Sequence, residues 1–170
     1  WVDDGGNGVL RKSGNNDPHG AWVALDELAS DFELTLYTRR VDDTGGSANR
    51  YSLTDGLGDG DGLSLSYRHQ TLSIERRDAW SGTKLVTEAM VQGIEVGEWY
   101  TLTLQREGTA LTVAIYAGRV DPAGASALAT LTTSDATYAS FSQVNINGGY
   151  RFDTDETRVI GPNSPVPTPH

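Results

Sequence analysis

The segment "GLGDGDG", residues 56–62, places two carboxylates, Asp59 and Asp61, one residue apart between glycines. Such spacing could begin a calcium loop, because Ca²⁺ takes about six to eight oxygens, usually with a bidentate carboxylate that closes the loop. The next acidic residue after Asp61 is Glu75, so the segment lacks that closing group. Asp-Gly and Gly-Asp steps also supply the positive φ of a tight turn. We therefore interpret the segment as a hairpin tip rather than a metal site.

Trp80 lies in "RRDAWSGTKL", a predicted turn with charged neighbours. A core role is hard to find for this ring, and an exposed Trp is uncommon without a purpose. Aromatic rings stack on the faces of sugar rings, and planar polar side chains bond paired hydroxyl groups. Trp80 is therefore our predicted stacking residue, with simple surface packing as the alternative.

A set of polar side chains falls on the non-core side of the predicted strands and would line a groove if the strands share a sheet. Arginine and asparagine could bond sugar hydroxyls there, and arginine could also bond a carboxylate. An ordinary solvated face with cross-strand Arg–Glu pairs is the alternative. Together with Trp80, the residues selected as ligand-binding are Tyr37, Arg39, Arg77, Asn145 and Asn147.

These side chains are positioned by strands, because apolar residues alternate with polar ones along nearly the whole chain. Clear examples are "DFELTLYTRRV", "GLSLSYRH", "TLSIERRD" and "EWYTLTLQREG". Each run ends at a turn signal rich in Gly, Asp or Asn. About a dozen strands with no convincing amphipathic helix predict an all-β fold, a β-sandwich of two packed antiparallel sheets.

Composition and charge exclude several classes of partner. The formal charge is 13 − 23 = −10, so nucleic acid and anionic membrane surfaces are poor partners. No apolar run approaches the roughly 18 residues of a membrane span. The chain has no cysteine, so neither a disulfide nor a thiolate is available. The predicted module covers residues 1–160.

The last ten residues, "GPNSPVPTPH", carry four of the six prolines. Such a stretch adopts extended polyproline II structure and acts as a semi-rigid spacer. We predict that residues 161–170 form a linker to a neighbouring domain of the same chain, with a frayed tail as the alternative. We take the chain as a module of a longer protein, whose leader would lie outside it.

Several motifs resemble the concanavalin A-like, or laminin G-like, jelly rolls that occur as accessory modules in bacterial secreted carbohydrate-active proteins. These are "WVDDGGNGVLRKSG", "SDFELTLYTRRV", "DGDG" before "LSLSY", "TLSIERRD", and "GEWYTLTLQREGTALTVAIYAG", which is the most specific. The closing "YRFDTDETRVIG" is similar to the family's last strand but contains an insertion-like "DTDE". The resemblance implies a jelly roll and hardly constrains the ligand, since this fold hosts lectins, binding modules, glycosidases and lyases.

The resemblance also implies a structural calcium, which related sandwiches often carry. The first and last strands are commonly neighbours in such sandwiches, so carboxylates near both ends of the module could converge on one ion. The predicted metal ligands are Asp3, Asp153 and Asp155.

Catalysis finds less support in the sequence. Retaining glycosidases need two carboxylates about 5 Å apart, and this fold supplies them from alternate positions of one strand. Glu75 and Asp78 are separated by an odd number of positions, which directs them to opposite faces. Lyases of this fold use a histidine, but His19 and His69 lie in predicted turns.

We therefore expect a non-catalytic carbohydrate-binding module that recognises a polysaccharide or oligosaccharide within a larger secreted, extracellular protein. Two alternatives stay open: a polysaccharide lyase or glycoside hydrolase of the same fold, and a structural or adhesion module that binds no glycan.

Overall fold

A computed structural model describes residues 2–4, 7–12, 21–42, 48–54, 61–78, 81–90, 92–148 and 151–160. Within these ranges the chain is almost entirely β-structure, with one short 3₁₀ turn at Pro122–Gly124. The described strands are β1 (Val2–Asp4), β2 (Asn7–Lys12), β3 (Ala21–Ala29), β4 (Phe32–Arg40), β5 (Asn49–Thr54), β6 (Gly62–Arg68), β7 (Thr71–Asp78), β8 (Ser81–Ala89), β9 (Trp99–Glu107), β10 (Ala110–Ala117), β11 (Ala129–Ser134), β12 (Phe141–Gly148) and β13 (Phe152–Ile160).

The strands form two sheets, which confirms the predicted antiparallel β-sandwich. One sheet has seven strands in the order β1-β2-β13-β4-β9-β10-β11, and the other has six in the order β3-β12-β5-β6-β7-β8. All described strand pairs are antiparallel. The last described strand, β13, ends at Ile160, and residues 161–170, the predicted linker, lie outside the described residues, so the module boundary stays a prediction.

The core lies between the sheets and is built from the alternating apolar residues. Leu34 and Leu36 of β4 belong to one core cluster with Leu53 of β5 and Leu63 and Leu65 of β6, and all five are buried. Alternation places these side chains on one face of each strand, so burying them against the opposite sheet removes a continuous apolar layer from water. The same alternation directs the intervening polar residues to the two outer faces.

A hydrogen-bonded cluster within the core joins the two sheets. Tyr51 Oη donates to Thr38 Oγ1 at 2.6 Å, and Thr38 Oγ1 lies 2.9 Å from Tyr67 Oη. Asn49 Nδ2 donates to Tyr67 Oη at 3.2 Å. Burial raises the pKa of both tyrosines, so both hydroxyls stay protonated. Because each buried hydroxyl needs its partner, the cluster fixes how β4 lies on β5 and β6.

The segment between β5 and β6 connects neighbouring antiparallel strands, with Thr54 opposite Gly62. This pairing fits the predicted hairpin, while residues 55–60, which contain its tip, lie outside the described residues. A Cβ atom at Gly62 would lie 1.9 Å from the Leu53 carbonyl oxygen. Glycine is therefore required at this position by the close approach of the two strands.

No helix in the described part of the chain is long and apolar enough to cross a bilayer.

Candidate functional site

The outer face of the six-stranded sheet carries a band of polar residues, which we call the polar face. These residues point outward because successive side chains of a strand point to opposite faces, and the positions that alternate with them point toward the core. In the central row, Asn145 lies opposite Ser52, Ser52 opposite Ser64, and Ser64 opposite Glu75. The described members of the polar face are Arg50, Ser52, Thr54, Ser64, Ser66, Ser73, Glu75, Arg77, Gln143 and Asn145.

Three charged side chains form the centre of the polar face. Arg50 Nε donates to Glu75 Oε2 at 3.1 Å, and Arg77 Nη1 lies 3.8 Å from the same oxygen. The Glu75 side chain is 4% exposed, that of Arg77 10% and that of Arg50 27%. Two guanidinium groups around one buried carboxylate leave this group of three with a net positive charge, in a chain whose overall charge is −10. We call these three residues the charged triad.

The charged triad spans three strands. Arg50 lies on β5 and Glu75 on β7, and β6 runs between them. Adjacent strands are about 4.8 Å apart, so the Arg50 side chain must extend across β6 to reach Glu75. Ser64 and Ser66 are the β6 residues at this level, opposite Glu75 and Arg50 respectively. Their small side chains leave room for Arg50, and both serines are buried.

Beside the charged triad, the polar face keeps buried hydrogen-bonding atoms unused. Ser52 Oγ, Ser64 Oγ and Gln143 Nε2 have no hydrogen-bond partner within the described part of the chain. Asn145 Nδ2, in contrast, donates to Thr54 Oγ1 at 2.7 Å. An unsatisfied buried polar group costs about 1–3 kcal/mol. These three atoms give the polar face hydrogen-bonding capacity that the described residues do not use.

A segment between β11 and β12 fixes the end of β7, next to Arg77. Tyr138 Oη lies 2.7 Å from the Arg77 carbonyl oxygen and 2.5 Å from Asp78 Oδ1. Burial and the Asp78 carboxylate raise the pKa of Tyr138, so the hydroxyl remains a donor. Arg76 Nη1 also donates to Asp135 Oδ2 at 3.1 Å. These contacts hold the backbone from which the Arg77 side chain projects.

The outer face of the seven-stranded sheet has a different arrangement, centred on Trp99. The Arg119 guanidinium carbon lies 3.8 Å from the centroid of the Trp99 ring, and that of Arg39 lies 4.7 Å from it. Arg39 donates to Asp153 Oδ2 through Nε at 3.1 Å and Nη2 at 2.5 Å, and Arg119 donates to Asp155 Oδ2 at 2.7 Å. Each of the two arginines thus makes a cation–π contact with Trp99 and an ion pair with an aspartate. Trp99, which we call the capped tryptophan, is covered by these arginines.

The structure separates the predicted ligand-binding residues. Arg77 and Asn145 belong to the polar face, whereas Tyr37 and Arg39 lie on the outer face of the other sheet, on β4. The sandwich therefore does not bring the two pairs together in one groove. Asn147 lies on β12 opposite Arg50, at a polar-face register position. Trp80 lies outside the described residues, so its stacking role stays a prediction.

The predicted calcium ligands have other contacts or positions. Asp153 forms an ion pair with Arg39, and Asp155 forms one with Arg119. Asp3 lies on β1, which β2 separates from β13. No group of three or more His, Cys, Asp or Glu side chains suited to a metal occurs in the part of the chain that the structure describes. Calcium stays a prediction, which a melting curve with and without chelator tests.

Removing Arg119 should expose the capped tryptophan. The Arg119→Ala variant loses the contact at 3.8 Å and the ion pair to Asp155, while the strand that carries Trp99 is unchanged. We expect red-shifted tryptophan emission, stronger acrylamide quenching and a loss of about 1 kcal/mol in the free energy of unfolding. Arg151→Ala, which removes a more exposed pair with Asp42, is the control and should leave emission unchanged. Unchanged emission in Arg119→Ala would contradict the capped arrangement.

No protein-family model matches the chain. The uncharacterized protein MJ1394 of Methanocaldococcus jannaschii is 31% identical over 167 aligned residues, which cover 93% of this chain. The chain spans only 16% of that relative's length.

Solved structures give likenesses over most of the chain. Carbohydrate-binding module CBM66 from Bacillus subtilis matches with a TM-score of 0.66 and 12% identity, covering 88% of this chain and 84% of that module. Sheep galectin-11 matches with a TM-score of 0.61 and 10% identity, covering 84% of this chain and 98% of the galectin. Chicken galectin 2 matches with a TM-score of 0.55 and 13% identity, covering 82% of this chain and 97% of the galectin. At these identities the likeness shows the fold, a jelly-roll β-sandwich. The finer assignment to concanavalin A-like accessory modules stays a prediction.

Glu75 and Arg50 were not selected from the sequence as ligand-binding residues. A signal was present, because Glu75 and Arg77 are two apart on one strand and must share a face. Arg50 could be placed beside them only once β5, β6 and β7 were known to be consecutive in one sheet. Trp22 on β3 is the register partner of Asn145.

Proposed function

We propose that the chain is a non-catalytic carbohydrate-binding module whose polar face recognises a polysaccharide or oligosaccharide. The observation that carries this proposal is the buried Glu75 carboxylate held between Arg50 and Arg77 on an outward-facing sheet surface. A sugar hydroxyl both donates and accepts hydrogen bonds, so it can donate to Glu75 while accepting from an arginine. Charge-assisted hydrogen bonds of this kind are about twice as strong as neutral ones.

The rest of the polar face supports the same chemistry. Serine hydroxyls and the Gln143 and Asn145 amides supply donors and acceptors of the kind that fix a ligand's orientation. The likeness to a carbohydrate-binding module and to galectins is consistent with the proposal, because these solved structures share the sandwich. The acid content of the polar face also favours binding over hydrolysis. Glu75 is the one carboxylate among its described members, whereas a glycosidase needs a second carboxyl group that donates a proton.

The wider setting belongs to the proposal as well. We propose that the module acts in a secreted, extracellular, multidomain protein and is attached through residues 161–170. A single module of this kind would bind in the micromolar-to-millimolar range, that is, with roughly −4 to −8 kcal/mol. Attachment to a second binding domain or an enzyme would raise the effective affinity without new contacts.

An array of neutral and acidic oligosaccharides and polysaccharides tests the proposal, run with the full chain in calcium and in chelator. We expect binding to at least one glycan class, with no release of reducing ends or of unsaturated uronate products. Product release would support the lyase or hydrolase alternative instead. A blank array under both conditions would contradict the proposal and favour a structural module. Binding that disappears only in chelator would support the predicted calcium.

A further inference from the structure

Lys84 adds a third positive charge beside the charged triad. It lies on β8, the edge strand of the six-stranded sheet, and its register partner is Glu75 on β7. Directly opposite residues of an antiparallel pair share one face of the sheet, with their Cβ atoms about 4.5–5.5 Å apart. Lys84 is exposed and, in the part of the chain that the structure describes, has no hydrogen bond or ion pair. Its ammonium group is therefore available to a ligand on the polar face.

Arg50 offers a second accessible positive group. It donates to Glu75 through Nε, and its side chain is 27% exposed. Its Nη1 and Nη2 atoms have no hydrogen-bond partner among the described residues and are not buried. These two nitrogens form one side of the planar guanidinium group, which matches the two oxygens of a carboxylate. The positive charge that a ligand meets at this edge of the sheet is therefore that of Arg50 and Lys84.

The local charge at this edge is opposite in sign to that of the whole chain. Two arginines and one glutamate give the charged triad a charge of +1, and Lys84 raises the local sum to +2, whereas the chain carries −10. At physiological ionic strength, exposed charges more than about 8 Å apart are largely screened from each other. The nearby groups therefore decide which ligand charge is favoured, and they favour a negative one.

We propose that the polar face binds acidic glycans, with the carboxylate of a uronic acid residue held between the Arg50 guanidinium and the Lys84 ammonium group. This inference rests on the proposed function, whose ligand class it narrows. A uronic acid residue combines a planar carboxylate with ring hydroxyls. The carboxylate accepts hydrogen bonds from Arg50 Nη1 and Nη2, and Lys84 supplies a point charge at the sheet edge. The hydroxyls bond the other polar groups of the face.

The first test compares uronate glycans with their methyl esters on the wild-type chain. Oligogalacturonate, oligomannuronate and glucuronoxylan oligosaccharides are each used as the free acid and as the ester, beside neutral oligosaccharides and a sulfated galactan. Esterification removes the charge and leaves the sugars and their linkages intact. We expect the strongest ligand to be a free acid that binds at least about tenfold more tightly than its own ester.

Lys84→Gln and Lys12→Gln form a matched pair of variants, because each removes one positive charge from the chain. Lys12 is the only other lysine and lies on β2, in the seven-stranded sheet. We expect Lys84→Gln to lower the preference for acid over ester about threefold, as one exposed charge would, and Lys12→Gln to leave it unchanged. Since Lys84 is exposed, its variant should melt within about 2 °C of the wild type.

A strongest ligand that is neutral, or equal affinity for that free acid and its ester, would overturn the inference while leaving the proposed function intact. Tighter binding of the sulfated galactan than of every uronate would overturn the assignment to a carboxylate. Equal loss of preference in the two lysine variants would point to the net charge of the chain instead of this edge of the sheet. A wild-type chain that binds no glycan would overturn the proposed function and this inference together.

Discussion

Glu75→Gln is expected to reduce glycan binding about 100-fold, which corresponds to about 2.7 kcal/mol. Glutamine keeps the shape of the side chain but removes the charge that orders Arg50 and Arg77 around it. The sugar hydroxyl loses a charged acceptor, and the two guanidinium groups now repel each other without a carboxylate between them. Isothermal titration with the strongest glycan from the array measures the change.

The same substitution also affects stability, which must be measured separately. Glu75 is nearly buried while Arg50 is partly exposed, so solvent screens part of the loss. We expect the free energy of unfolding in urea to fall by about 1–2 kcal/mol. The matched control is Glu33→Gln, an exposed strand glutamate on the other sheet. Equal loss of binding in both variants, or none in Glu75→Gln, would contradict the assignment of the site.

Asp153→Asn should cause the largest loss of stability among the variants considered. Asp153 is fully buried on β13 and accepts two hydrogen bonds from Arg39 on β4, whose side chain is 18% exposed. Breaking a buried ion pair by removing one partner typically costs about 3–5 kcal/mol. With a partly exposed arginine we expect about 3 kcal/mol, or roughly 6–12 °C in melting temperature for a chain of this size.

Asp155→Asn is the internal comparison for this prediction. Its pair with Arg119 is more exposed on both sides, so we expect a loss of about 1 kcal/mol. Urea unfolding of both variants gives the ranking. Glycan binding should be retained in both, because these residues lie on the outer face of the opposite sheet. If Asp155→Asn proved the more damaging substitution, the ion-pair account of β13 would be wrong.

The sequence predicted the fold because alternation carries most of the information about a sandwich. Tyr51 and Leu53, and likewise Leu63 and Leu65, fall on the core side as their spacing indicates. The outward side of Arg77 and Asn145 follows from the same rule. The alternation of inward and outward side chains along a strand is a local property, so it can be predicted without knowing which strands are neighbours.

The assignment of strands to sheets could not be predicted in the same way. Tyr37 and Asn145 both occupy outward-pointing positions on their strands, yet β4 belongs to one sheet and β12 to the other. Which strands pair depends on long-range contacts that a single sequence does not display. For the same reason, the sequence did not show that Arg39 and Arg119 pair with the aspartates predicted to bind calcium.

The most direct test of the central claim compares Arg77→Gln with Tyr37→Ala on one glycan array. Both residues were predicted from the sequence to bind sugar, and the sandwich places them on opposite outer faces. If the polar face is the site, Arg77→Gln loses binding and Tyr37→Ala keeps it, with both variants folded by circular dichroism. Retained binding in Arg77→Gln together with lost binding in Tyr37→Ala would contradict the account and move the site to the seven-stranded sheet.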